Sequence, residues 1–93
     1  MQPMLEQIRA DAALRARVAP DDVKILAVEP VTWADGSLGC PEPGMMYTQA
    51  LVRGYRVRVE ALSTMLAYHA NAQGAFRHCP PERAQEPAAI DPT

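Results

Sequence analysis

Apolar residues recur at helical spacing near the start of the chain. Over residues 3–18, apolar side chains return every three or four positions, which is the spacing of one face of a helix. Pro3 suits the first turn of a helix, where the missing amide hydrogen of proline costs nothing. The pattern predicts a helix over residues 3–18, with a core-facing stripe formed by Leu5, Ile8, Ala12 and Ala16.

Four later segments carry the patterns of β-strands. Residues 23–33 are apolar on both faces, whereas residues 55–61 alternate apolar and charged side chains, which predicts a strand with one face in the core and one in solvent. Residues 65–70 and 75–79 complete a meander with short turns. The predicted fold is α+β, in the order helix, strand, long loop and three-strand meander, with the helix packed on an antiparallel sheet of about four strands.

The amino-acid composition changes near the end of the chain. From Pro80 onward, proline and charged residues follow one another without periodicity, a composition that cannot bury enough apolar surface to fold. The sequence therefore predicts a single domain over residues 3–80 and a Pro-rich disordered tail over residues 81–93.

The connection between the first two strands, residues 34–54, is unusually long for so small a domain. Loops of this length are functional, tethered or disordered, and the dense Gly and Pro of this one impose particular backbone conformations. The apolar residues in and beside it either present an adaptable surface to a partner or fold inward as the core of an Ω-loop. These surface candidates are Trp33, Met45, Met46 and Tyr47.

Composition narrows the function classes. The 93 residues carry a net charge of −2 and no cluster of Lys and Arg, which argues against a nucleic-acid surface, and no apolar run is long enough to span a membrane. Charged residues within positions 6–17 interrupt any signal-peptide core, and this predicts a cytoplasmic location unless the chain is an excised domain.

The two cysteines, Cys40 and Cys79, allow three interpretations. They form a disulfide that ties the loop to the last strand, they are two free structural thiols, or they belong to a metal or reactive-thiol site. A disulfide would indicate an extracytoplasmic protein. This expectation conflicts with the cytoplasmic location that the N-terminal residues predict.

A thiol or metal site would combine both cysteines with His69 and His78. If Ala70 pairs with Ala75 across the last turn, the two histidines share a sheet face. However, no Cys-x-x-Cys or His-x₃-His spacing supports a zinc site, and two histidines on a half-exposed sheet face are the plainer interpretation. No helix N-terminus follows Cys40 to activate its thiol. The sequence thus predicts no catalytic residue, no metal and no cofactor, and a protein that is not an enzyme.

The loop and its flanking residues resemble a sequence motif found in other proteins. The run from Val28 to Gln49 matches Val-Glu-Pro-Val-Thr-Trp-x-Asp-Gly-Ser-Leu-Gly-Cys-Pro-x-Pro-Gly-Met-x-Tyr-Thr-Gln, which is shared by a family of small uncharacterised bacterial proteins. Gly54-Tyr55, Tyr68-His69 and Cys79 also fit, with Arg53 in place of a proline, so the resemblance covers most of residues 5–79. It implies one fold unit and a Cys40–Cys79 pairing, and it implies no activity.

The order of elements is similar, more distantly, to that of PepSY-type domains. The segments Tyr-Arg-Val-Arg-Val-Glu at residues 55–60 and Met-Leu-Ala-Tyr-His-Ala at residues 65–70 carry the likeness, while the loop at residues 34–54 departs from it. That resemblance implies a peptidase-inhibitor-like or envelope-sensing module. The residues themselves favour a non-catalytic interaction module that presents the rigid 34–54 loop to a protein partner.

Overall fold

One helix and one antiparallel sheet make up the computed structural model, which describes residues 1–91. Within those residues the sheet has five strands in the order β4-β3-β2-β1-β5. The predicted α+β fold is confirmed, with one strand more than expected. The elements are α1 Gln2–Ala16, a 3₁₀ turn at Pro20–Asp22, β1 Val23–Trp33, β2 Val52–Ala61, β3 Thr64–Asn71, β4 Phe76–His78 and β5 Ala89–Ile90.

Helix α1 covers one face of the sheet, here called the helix face. It ends before Arg17, whose left-handed backbone (φ 59°) stops the helix two residues earlier than predicted, because continuing it would require right-handed dihedrals there. The core beneath it combines Ile8 and Ala12 of the predicted stripe with Met4 and Ala13 of the same helix, while Leu5 and Ala16 are only partly buried. Strands β1, β2 and β3 contribute Val23, Val57, Val59, Ala61, Tyr68 and Ala70. Within residues 1–91, no helix is long and apolar enough to cross a membrane.

An irregularity in β1 explains why that strand is apolar on both faces. Its pairing with β2 shifts between Ile25 and Ala27, so one extra residue enters β1 and the alternation of side chains reverses. Before the bulge, Ile25 contacts the core under the helix. Beyond it, Val31 and Trp33 turn their side chains to the other side of the sheet, here called the second face, where both are fully buried.

The hairpin between β3 and β4 differs from its predicted register. Ala70 pairs with Phe76 rather than Ala75, because the Asn71 amide donates to the Ala75 carbonyl at 2.9 Å and the three residues between them end on Gly74 with φ 95°. A shift of one residue moves every side chain of a strand to the other face. His69 therefore lies on the second face and His78 on the helix face, and the prediction that they share a face is wrong.

The chain beyond residue 80 also differs from its prediction. Instead of a disordered tail, residues 81–91 cross the second face and end in β5, which pairs with β1 at Val31 and Thr32. The Gln85 amide donates to the Gly39 carbonyl at 2.8 Å, and the Asp91 amide donates to the Pro30 carbonyl at 3.0 Å. Backbone hydrogen bonds hold this segment in place. Because such bonds do not require apolar side chains, no apolar pattern in the sequence predicts the segment. Residues 92–93 of the predicted tail lie outside the described residues.

Gly54 allows β2 and β3 to meet closely where Trp33 crosses the sheet. A Cβ atom at Gly54 would lie 1.9 Å from the Ala70 carbonyl oxygen, and the Trp33 indole nitrogen donates to that same oxygen at 3.0 Å. Any side chain at position 54 must therefore separate the strands or displace the indole.

We expect Gly54→Ala to lower the free energy of unfolding by roughly 1–3 kcal/mol through this overlap. Gly36→Ala is the matched control, because its Cβ would meet Thr48 at an ordinary 3.4 Å, and surface changes of this kind cost less than about 0.5 kcal/mol. Urea denaturation of the two variants checks the prediction, and equal midpoints would contradict it.

Candidate interaction site

The indole of Trp33 is the centre of the second face. It is fully buried at the end of β1 and stacks on the His69 ring with 4.4 Å between centroids and 23° between planes. Its hydrogen bond to the Ala70 carbonyl joins β1 to β3 across β2. Trp33 was a surface candidate with inward folding as the alternative, and the structure shows the inward-folded arrangement, because both the loop and the sheet cover the indole.

His69 fixes the start of the loop. Its Nδ1 lies 2.6 Å from the Leu38 carbonyl oxygen, and because a carbonyl only accepts, Nδ1 carries the hydrogen. Burial lowers the pKa of His69 below its usual value, and the hydrogen bond to Leu38 only partly opposes this. His69 is thus a neutral, buried donor that positions the loop, rather than a half-exposed histidine.

A compact turn brings the loop over the indole. The Asp35 carboxylate accepts hydrogen bonds from the Ser37 amide at 2.9 Å and the Ser37 hydroxyl at 2.6 Å, and these bonds lower the pKa of Asp35. Leu38 and Gly39 then both adopt positive φ. Gly39 is required there, since a Cβ would lie 2.5 Å from the Trp33 ring.

The disulfide holds the loop to the other end of the sheet. Cys40 and Cys79 are bonded, with 5.8 Å between their Cα atoms, and both are buried. The Cys79 amide also donates to the Ala67 carbonyl at 2.9 Å, so the second cysteine is fixed on the sheet. The pairing implied by the family resemblance is present in the structure.

The same bond removes the basis of the thiol or metal hypothesis. Neither sulfur of Cys40 or Cys79 is a free thiol, and His69 and His78 lie on opposite faces of the sheet. Within residues 1–91, no group of three or more His, Cys, Asp and Glu side chains could hold a metal ion. The alternative hypothesis of a thiol or metal site at these four residues is therefore wrong.

The apex of the loop is exposed although its base is fixed. Met45 and Met46 have 57% and 95% of their surface accessible. The Tyr47 hydroxyl accepts a hydrogen bond from the Glu42 amide at 3.0 Å, which closes the apex on itself. The Arg77 guanidinium lies 6.0 Å from the centre of the Tyr47 ring. Met45 and Met46 thus remain surface candidates, and Tyr47 holds their segment in place.

A polar cluster on the helix face was not found from the sequence. The hydroxyl of the buried Tyr68 donates to Asp11, and Arg15 donates to the same carboxylate at 2.6 Å. Burial raises the pKa of Tyr68, and the hydrogen bond to Asp11 raises it further. Burial alone would raise the pKa of Asp11, but the bonds from Tyr68 and Arg15 outweigh it and lower that pKa. The four-residue spacing of Asp11 and Arg15, which places both side chains on one face of a helix, is the sequence feature that could have indicated part of this cluster.

Comparison with known proteins gives a match to one family model. A family model described as "Domain of unknown function (DUF8738)" matches residues 5–79. No curated protein and no solved structure matches the chain. The matched residues contain the long loop and both cysteines, so the disulfide closes within the family unit, whereas β5 lies beyond it.

We expect Cys40→Ala/Cys79→Ala to lose about 4 kcal/mol of stability, because the bond closes a loop across a separation of 39 residues and restricts the unfolded chain. Urea denaturation with and without reductant checks this. The wild type should weaken on reduction to the level of the double variant, which should itself be insensitive to reductant. A wild type unaffected by full reduction would contradict the prediction.

We also expect stability to fall as the pH drops below about 6.5. The folded pKa of His69 is lowered, so the unfolded chain binds a proton first, and stability present above pH 6.5 is lost as the pH falls toward the folded pKa. His69→Asn retains a donor but does not titrate, so its unfolding free energy should depend less on pH between 7.5 and 5.

His78→Asn is the comparison for this measurement. Burial and nearby Arg15 also lower the pKa of His78, but its side chain is only half-buried, so the variant should remove a smaller part of the pH dependence. If His69→Asn kept the full pH dependence of the wild type, the assignment of the effect to His69 would be wrong.

Proposed function

The chain belongs to the DUF8738 family, and we propose that it is a non-catalytic protein-interaction module that presents the loop at residues 34–54 to a protein partner. The observation that carries this proposal is the contrast within the loop. Its base is covalently and sterically fixed, while Met46 at its apex is 95% exposed. Such a contrast is typical of a binding loop on a scaffold.

Fixing the loop in advance favours binding. A flexible loop loses conformational entropy when a partner orders it, and this loss subtracts from affinity. Here the disulfide, the Asp35–Ser37 turn and the hydrogen bond from Gly36 to Thr48 at 2.9 Å already restrict the backbone. Methionine adds an apolar side chain that adapts to the surface it meets. Together these features support a preordered loop with an adaptable apolar tip.

The contacts of the reactive groups support the non-catalytic part of the proposal. Both cysteine sulfurs are bonded to each other. The Ser37 hydroxyl donates to Asp35, and the His69 Nδ1 donates to the Leu38 carbonyl. A catalytic nucleophile or base must also reach its substrate, and Ser37 and His69 are each only 2% exposed, so these groups hold the loop instead.

Site-specific photo-crosslinking in the native host tests the proposal. A photoreactive phenylalanine analogue at position 46 should yield a discrete covalent adduct with a host protein, identified by mass spectrometry. The same analogue at position 14 is the control, because Leu14 is 81% exposed on the helix and lies outside the loop. The resemblance to PepSY-type domains makes a peptidase one class of partner to look for.

The comparison between the two positions decides the result. We expect the adduct from position 46 alone, and we expect Met45→Ser in the same chain to reduce its yield. No adduct from position 46, or the same adducts from positions 46 and 14, would overturn the proposed function.

A further inference from the structure

The β4 edge of the sheet is open. β4 is the terminal strand in the order β4-β3-β2-β1-β5, and within residues 1–91 no strand pairs with its outer side. An unpaired strand edge offers a row of amide and carbonyl groups to any extended chain that reaches it. β4 has only three residues, so its edge needs other contacts to bind a partner firmly.

The register determines which backbone groups of β4 face outward. The Cys79 amide donates to the Ala67 carbonyl, which makes these two residues a hydrogen-bonded pair. Because such pairs alternate along an antiparallel ladder, Arg77 also bonds to β3, and the backbone groups of Phe76 and His78 face outward. Two residues with one donor and one acceptor each provide up to four hydrogen bonds to an added strand.

An open cleft of about 570 Å³ lies along this edge. Its sides come from three parts of the chain: the end of helix α1, the long loop near Glu42, and the segment after β4. Its lining carries three guanidinium groups, those of Arg15, Arg77 and Arg83, against the carboxylates of Asp11 and Glu42. In a chain of net charge −2, this cleft has a local excess of positive charge.

Of these three guanidinium groups, that of Arg77 has no carboxylate partner within residues 1–91, whereas Arg15 and Arg83 are each paired. Arg15 is engaged with Asp11 at 2.6 Å. Arg77, by contrast, stacks over Tyr47 and forms no ion pair with a carboxylate of residues 1–91. Arg83 reaches Glu42 only at 3.5 Å, and its Nε is buried without a hydrogen-bond partner in the described chain. An arriving carboxylate can accept from the Arg77 guanidinium through two bonds at once, and it can replace Glu42 at the terminal nitrogens of Arg83.

We infer that the partner contacts this cleft with an extended acidic peptide segment, which adds to the open edge of β4 as a strand and places its carboxylates at Arg77 and Arg83. The inference rests on the proposed function and names the chemistry of the partner. Backbone hydrogen bonds to Phe76 and His78 align the peptide along β4, and the arginines make the cleft selective for acidic side chains. Tyr47 links the two surfaces, since the loop that carries Met45 and Met46 also positions Arg77.

Fluorescence anisotropy with synthetic peptides tests the inference. The probe is a fluorescein-labelled decapeptide of alternating Glu and Val, and its two controls are the Gln/Val analogue and the same Glu/Val peptide with every backbone amide N-methylated. The protein variants are Arg77→Gln/Arg83→Gln and, as a matched control, Arg53→Gln/Arg58→Gln, which removes the same charge from two exposed arginines outside the cleft. Unchanged circular dichroism and melting temperature show that both variants are folded.

We expect the Glu/Val peptide to bind the wild type and the control variant equally, and the Arg77→Gln/Arg83→Gln variant at least tenfold more weakly. Both control peptides should also bind at least tenfold more weakly, and raised salt should weaken binding because it screens charge pairs. In a proton–nitrogen correlation spectrum, the peptide should shift the amide signals of Phe76 and His78.

No binding up to millimolar peptide, equal binding to the two arginine variants, or equal binding of the N-methylated peptide would overturn the inference. Its failure is distinguishable from failure of the proposed function. An adduct from position 46 together with absent peptide binding would leave the loop as the contact surface and remove the edge of β4 from it.

Discussion

Burial of the Trp33 indole on the second face is the interaction on which the rest of the structure depends. The single helix covers only one face of the sheet, so the other face needs a layer that the chain must build without further helices. The indole supplies the apolar surface for that layer. It stacks on His69, bonds to the Ala70 carbonyl and lies under Gly39. The loop is ordered because it has this surface to pack on.

Several independent constraints act on that layer. The hydrogen bond from His69 to Leu38 positions the backbone just before Cys40, and the bond from Gln85 to Gly39 joins the last segment of the chain to the same turn. Non-covalent contacts therefore place the two cysteines near each other, and the disulfide then restricts the unfolded chain. The loop, the last segment and the sheet form one unit, so a change at any of the three reaches the others.

The elements with strong side-chain patterns were predictable, and those that depend on backbone geometry were not. Helix α1, the two long strands and the long loop follow from periodicity and turn residues. The register of β4, and with it the face on which His78 lies, depends on the conformation of Gly74, which periodicity does not reveal. The bulge after Ile25 is hidden for the same reason. Strand β5 was missed because Ala89 and Ile90 are both exposed and leave no apolar signal. The position of Trp33 was ambiguous until the fold of the loop was known.

The bond between Cys40 and Cys79 also closes the chain into a covalent ring that contains β2, β3, β4 and the exposed apex. Peptidases cut most readily at exposed loops, and Met46 lies on such a loop. A single cut there would open the backbone but release no fragment, since the ring would remain joined through sulfur. The severed chain would keep its helix, its sheet and its last segment in one molecule. Under oxidising conditions the domain therefore survives cleavage at its own apex as a single covalent body.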